Sequence, residues 1–212
     1  MVNLICKFSV LVLVIFSFTS FRIINEKGWI KLFNGKSLNG WKANENQGTF
    51  TVQKGVIRVN GARSHLFYMG SLMNHAFKNF ELKVKVMTTP GSNSGIFFHT
   101  SYQDSSWPNK GFEVQVNNSH GDWRRTGSIY GIKDLKDVFI KDNEWFNLHI
   151  IVNEKKVIVK LNDKIINEYT QPENAVYAIG NEERKFSAGT FALQGHDPKS
   201  LVLFKEILVK VE

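Results

Sequence analysis

A period of two runs through this chain from residue 48 to its end. Short segments such as "GTFTVQK", "GVIRVN", "NFELKVKVMT", "GFEVQVNN", "KKVIVKLN" and "SLVLFKEILVKVE" alternate apolar with polar residues. An extended chain sends such residues to opposite faces, so each segment is expected to be a strand with one apolar side. "SHLFYMG", "SGIFFHTS", "GSIYGI", "WFNLHIIVN", "KIINEYT" and "AGTFALQGH" complete the series, with Gly, Asn and Lys turn signals between members. No segment keeps a 3.6-residue period for three turns, and the best helical candidate is a turn or so within "GSLMNHAFKN". The chain is therefore read as an all-β sandwich of antiparallel sheets. Its 17 Phe and 5 Trp against 4 Pro suit two packed pleated layers.

Two junctions, "VNEKKV" and "LNDKI", place turn residues in short loops, so three consecutive strands are read as a meander. Upstream, "GWIKLFNGKSLNGWKA" couples Trp29, Leu32, Phe33, Leu38 and Trp41 through the turns Asn34-Gly35 and Asn39-Gly40, as a strand and tight loop closing one edge.

The N-terminus is different. "MVNLICK" and then "FSVLVLVIFSFTSF" give a short basic region and about a dozen apolar residues, which reads as a signal peptide over 1–20, or as an anchor if uncleaved. Residues 21–27 read as a linker and 28–212 as one domain. The expected location is outside the cytoplasm: periplasm, cell surface or medium. The single cysteine, Cys6, lies in this leader, so the exported domain has no disulfide and no zinc-thiolate site.

The formal charge is +8, but the Lys and Arg residues are scattered singly on alternating strands, which reads as a solvated basic face and not as a nucleic-acid surface. Membrane contact is expected only through an uncleaved leader. "GSNSG" has Asn at its centre and is no nucleophile elbow, and neither a phosphate loop nor a dinucleotide fingerprint is present.

Chemistry is best sought among polar residues inside apolar strands. Glu113 and Gln115 share one face of "FEVQV", and Gln194 and His196 have the same spacing in "ALQGH". "SHGDWRRTGSIYGI" adds His120, Asp122, Arg124, Arg125 and Tyr130. Each has a plain alternative: a half-wet strand face for Glu113 and Gln115, a capped core imidazole for His196, a packing role for Tyr130. His65, His99, Trp107 and Trp123 say less individually. Long irregular regions, 100–111, 117–127, 133–144 and 171–187, are where binding groups would be displayed.

Taken in order, "GWIKLFNGKSLNGWKA", "FELKVKVMTTPGSNSGIFFHT", "GFEVQVNN", "TGSIYGI", "EWFNLHIIVNEKKVIVKLNDKII" and "GTFALQGHD...VLFKEILVKV" resemble the 3-keto-disaccharide hydrolase domain family over 28–212. The resemblance implies a concanavalin A-like jelly roll of two curved antiparallel sheets that binds sugars on its concave face. There are departures: Phe146 interrupts the usual "EWN", His99 replaces a basic residue after "GIFF", and "LNG" becomes Asn162-Asp163.

An ordinary glycosidase needs two carboxyl groups about the scissile bond, and the motifs offer one convincing acid, Glu113, with Asp122 and Asp197 as loop candidates. The resemblance implies instead a sugar oxidised at C3, whose ketone acidifies the C2 proton so that the C1 substituent leaves by elimination before water adds. Glu113 or His196 would be the base, with Tyr130 or His120 near the leaving oxygen. Gln115, Gln194 and Arg125 would orient hydroxyls or stabilise the enolate, with His99, Trp107 and Trp123 as further substrate contacts. A divalent metal on Glu113, His120 and His196 would serve the same end, although no tight ligand motif is present. The alternatives are a non-catalytic carbohydrate-binding module using the same cleft and an exported structural or adhesion domain.

Overall fold

The computed structural model describes residues 28–176 and 182–212. The expected signal peptide and linker lie outside the described residues. Among those described, no helix is long and apolar enough to cross a membrane.

The strands, in chain order, are β1 (Ile30–Lys31), β2 (Trp41–Ala43), β3 (Phe50–Gln53), β4 (Val56–Val59), β5 (Ser64–Tyr68), β6 (Phe80–Thr88), β7 (Ser94–Thr100), β8 (Phe112–Val116), β9 (Phe146–Asn153), β10 (Lys156–Leu161), β11 (Lys164–Thr170), β12 (Thr190–Gly195) and β13 (Val202–Val211). They form an antiparallel jelly-roll sandwich. One sheet runs β11-β10-β9-β6-β13-β4-β3, with β1 also on β13, and the other runs β2-β5-β12-β7-β8.

The meander is as expected. Glu154-Lys155 joins β9 to β10, and Asn162-Asp163 joins β10 to β11 with φ of 45° and 68° at its two residues. Two successive positive φ values are what a tight hairpin turn demands, and Asn and Asp tolerate them best after Gly. The Asn-Asp departure from the family pattern therefore preserves the turn. Phe146 is likewise absorbed: it opens β9 fully buried, on the face that also buries Leu148, Ile150 and Val152.

Two expectations are corrected, and the helical turn is found where it was expected. "GSIYGI" is no strand: Gly127 and Gly131 have φ of 92° and 69°, and the segment turns back through Ser128 N to Arg125 O and Ile132 N to Ile129 O. It still covers the free edge of β8, since Gln115 N donates to Ser128 O, Gly127 N to Gln115 O and Tyr130 N to Glu113 O. The helical candidate is a 3₁₀ turn, Leu72–His75, in which Met73, Asn74 and His75 all lie in the left-handed region. His196 falls just beyond β12, which ends at Gly195.

The two sheets bury their outer faces unequally, and this positions the site. On β6 buried residues alternate with half-exposed ones, as in an ordinary half-wet sheet. On β7, β8 and β12 every residue is buried. Phe112, Val114, Val116, Phe191 and Leu193 enter the core between the sheets. Phe67, Phe97 and Ala192 form a separate apolar cluster with Met69 and Tyr102 on the other side. Glu113 and Gln115 share that second side, beneath loops, so their face is covered and not wet.

Candidate active site

A cleft of about 270 Å³ opens on this outer face, lined among others by Glu113, Gln115, Tyr130, Gln194, His196 and Trp107. The volume approaches that of ordinary small-molecule pockets. Antiparallel pairing brings the motifs together: β7 lies between β8 and β12, with Gly95 opposite Gln115 and Phe97 opposite both Glu113 and Ala192. Gly95 has a steric task here. A β-carbon at this position would overlap Glu113 Oε1, so the carboxyl lies across the glycine towards β12. There Gln194 Nε2 donates to Glu113 Oε1 at 2.8 Å.

Glu113 is 6% exposed, Gln115 1% and Gln194 3%, so the floor of the cleft is closed from below. Burial pushes the Glu113 carboxyl up to about 8, against the pull of the Arg184 guanidinium and the Gln194 hydrogen bond. At neutral pH it is mainly the neutral acid, a donor and not a base. Gln115 Nε2 donates to Asn93 Oδ1 at 2.9 Å. Gln115 Oε1 and Gln194 Oε1 have no hydrogen-bond partner among the described residues. Both oxygens are closed to solvent, so a sugar hydroxyl reaches them only when these side chains shift.

Two histidines meet at the rim, with ring centroids 5.4 Å apart. His196 Nδ1 lies 2.8 Å from Asp197 Oδ2, to which the Ser200 hydroxyl also donates at 2.7 Å. Burial opposes the charge on Asp197, but these bonds and that from the Lys199 amide outweigh it and hold the carboxyl down at about 2. An ionised carboxylate only accepts, so in the neutral imidazole of His196 the proton sits on Nδ1 and the lone pair on Nε2. His120 has the opposite tautomer: its Nδ1 receives the Asp122 backbone N–H at 3.1 Å, which leaves the proton on Nε2. Asn93 links this histidine to the floor, its Nδ2 lying 3.3 Å from His120 Nδ1.

Trp107 forms one wall, with its ring centroid 5.4 Å from that of His196 and 5.4 Å from that of His65. Tyr130 forms another, with Arg184 Nη1 donating to its carbonyl at 3.0 Å and the Arg124 guanidinium 4.5 Å from its ring. Arg184 lines the cleft but carries no sequence signal beyond its place in a long loop. Asn93 and Gly95 were also unmarked, although both sit in "SNSG".

Three expected substrate contacts lie elsewhere. Arg125 clamps the loop, its Nη1 donating to Asn117 Oδ1, His120 O and Asp122 O. His99 is a fully buried structural imidazole, bonded through Nε2 to Lys78 O at 2.9 Å, and burial pushes it down to about 4. Trp123 is exposed and packs against Arg124 and Lys136, outside the cleft lining. The expected metal group changes too. Ligand atoms of His120, His196 and Asp197 lie within 4.8 Å of one another, whereas Glu113 is held by Gln194 and is not of that group.

This geometry can be set beside known proteins. A 3-keto-disaccharide hydrolase from Bacteroides thetaiotaomicron is 26% identical over 174 residues, which cover 69% of this chain and 60% of that protein. The chain thus spans about 60% of the length of its curated relative. A solved structure from Parabacteroides distasonis with a provisional glycosyl hydrolase name superposes with a TM-score of 0.75 at 21% identity, covering 90% of this chain and 99% of that one. A Bacillus licheniformis β-glucanase gives 0.56 at 9% identity, covering 87% and 97% respectively. At these identities the two structures speak for the fold alone. The family is carried by residues 28–210, which match its profile over nearly the whole described chain, and the protein belongs to the 3-keto-alpha-glucoside-1,2-lyase-like domain family.

Proposed function

We propose that the protein is an exported carbohydrate-active enzyme that cleaves 3-keto-glycosides, 3-keto-disaccharides among them, by elimination at C1 followed by hydration. The observation that carries this reading is the pairing, in one cleft, of a neutral buried carboxyl, Glu113, with an imidazole, His196, whose tautomer is set by Asp197. His196 Nε2 takes the C2 proton. The Glu113 carboxyl donates to the C3 oxygen as negative charge develops there, the task for which a protonated acid in a dry site is suited. The C1–O bond breaks, and Tyr130 gives the departing oxygen its proton. Water then adds across C1 and C2: Tyr130 takes a proton from it as its hydroxyl attacks C1, and His196 returns to C2 the proton it holds, which restores both residues. Gln115 and Gln194, once their side chains shift, accept hydrogen bonds from sugar hydroxyls, and Trp107 offers an apolar ring face.

His120, His196 and Asp197 form a donor set of imidazole and carboxylate suited to a divalent cation, and a cation held through His196 would exclude that imidazole from the base role. Such a cation, when bound, would polarise the ketone and stabilise the enolate. Export rests on the reading of the N-terminal segment as a leader.

The test is release of the aglycone from a 3-keto-glucoside by the purified protein, with and without added divalent cations. Release that falls at least about 10²-fold in His196→Ala supports the assignment. No release by wild type under either condition overturns the enzyme reading, and retention of the glycan without release would favour a binding module.

A further inference from the structure

A second cavity, of about 280 Å³, lies at the other end of the same sheet face. Thr100 and Thr190, paired across β7 and β12, sit at its base with Gly189 and Ala188. The catalytic residues are reached by following those strands: Gly95 is five residues back from Thr100, and Gln194 four residues on from Thr190. At roughly 3.3 Å per residue the two ends of the face are about 13 to 17 Å apart. Between them runs the apolar cluster Phe67, Phe97 and Ala192; Phe97 lines the first cleft, while Met69 and Tyr102, packed on that cluster, line the second cavity.

The chemistry of this cavity differs from that of the first. Lys110 and His75 line it, no carboxylate does, and Lys42 Nζ stands 3.9 Å from the centroid of the lining ring of Tyr102. Lys110 Nζ donates to the Ala188 carbonyl at 3.2 Å, a neutral acceptor, and has no carboxylate partner among the described residues. Of the hydroxyls at the base, Ser101 lines the cavity, whereas that of Thr190 donates to Tyr68 O and Thr100 Oγ1 is buried without a partner among the described residues. The rim is the turn in which Met73, Asn74 and His75 hold φ of 50°, 49° and 47°. Successive left-handed residues other than glycine are strained, and such strain is kept where it shapes a site.

We infer that this cavity is a second carbohydrate site, selective for a sugar bearing a carboxylate, such as a uronic acid, with Lys110 taking the carboxylate and Tyr102 and Met69 meeting the apolar face of the ring. It does not depend on turnover at Glu113, so its fate is separable from that of the enzyme reading.

The experiment is titration of the full-length protein with glucuronate, glucose and acetate, followed by backbone amide shifts. Glucuronate should shift Tyr102, Gly189 and Thr190 and leave Gly95 and Gln194 unmoved, and glucose and acetate should bind at least tenfold more weakly. Lys110→Gln should weaken glucuronate about tenfold or more, the scale of one charge-assisted hydrogen bond. Lys136→Gln, on a lysine beside Trp123 and outside the cavity lining, should leave binding unchanged and control for general charge. Glucose binding as tightly as glucuronate overturns the selectivity, acetate doing so reduces the site to an anion contact, and shifts confined to Gly95 and Gln194 place the ligand in the first cleft; each refutes the proposal, as does no binding.

Discussion

Glu113→Gln should gain stability over the wild type as pH rises from acid to alkaline. The carboxyl, ordinarily near 4.5, is pushed up to about 8 by burial. The folded state therefore holds a proton at this site that the unfolded chain gives up at lower pH. The stabilising contribution is fully present below about pH 4.5 and is lost as pH rises through about 8. Each unit between those limits is worth about 1.4 kcal/mol, so the wild type should lose about 3 kcal/mol relative to the variant on going from pH 4.5 to pH 7. The loss should reach about 4 kcal/mol at pH 8 and level off above it. Glutamine keeps a carbonyl oxygen for Gln194 Nε2, so the change in that hydrogen bond is a constant offset and not a slope. Urea unfolding of both proteins from pH 5 to pH 9 measures the difference directly. Parallel stability curves would show that the native carboxyl ionises as readily as the unfolded one, and the assignment of Glu113 as the neutral acid would fall with them. The same group sets a kinetic expectation: kcat/KM should decline above about pH 8 as Glu113 loses its proton.

Other expectations follow from single contacts. Gly95→Ala should displace the Glu113 carboxyl and lower turnover about 10²-fold while thermal stability changes by only a few degrees; full activity would dismiss the glycine's steric task. Asp197→Asn should cut kcat about 10²-fold or more with little effect on KM, because it removes the charge that fixes the His196 tautomer, and an unchanged kcat would refute that role. Trp107→Ala should raise KM more than it lowers kcat, as loss of a binding wall; the reverse split in steady-state kinetics would move Trp107 into the chemistry. Phe146→Ala should cost about 3–5 kcal/mol in urea unfolding, and a cost below about 1 kcal/mol would contradict its burial.

How far the strands were legible depended on which face each one buries. β6, β9, β10 and β13 announce themselves because one side is packed and the other half-wet, so burial copies the period of the sequence. "GSIYGI" has the same alternation and fails, since its pattern is compatible with a strand only if Gly127 and Gly131 stay extended, and both adopt positive φ. The left-handed turn at Met73–His75 had only a weak signal: none of its three residues is glycine, although Asn and His enter that region more readily than most.

The site was legible as residue types and illegible as protonation states. An i, i+2 pair of Glu and Gln fixes a shared face, but the same pair on β6, where Glu81 and Lys83 alternate with the core, is half-exposed. Whether such a face is wet depends on what the loops lay across it, and loops carry no period. On β8 the cover is the 100–111 segment with Trp107 and Pro108, together with the turn that brings Tyr130 beside Glu113. Once covered, a carboxyl bonded by a side-chain amide keeps its proton, while Asp197, no closer to the core but bonded by a hydroxyl, an imidazole and a backbone amide, gives its proton up. The division into neutral acid and oriented base thus comes from the second side of one sheet being closed by irregular chain. It is also why Arg125 and Arg184 exchange the places their sequence context suggests: the arginine nearest the motif closes the loop, and the one remote from it faces the cleft.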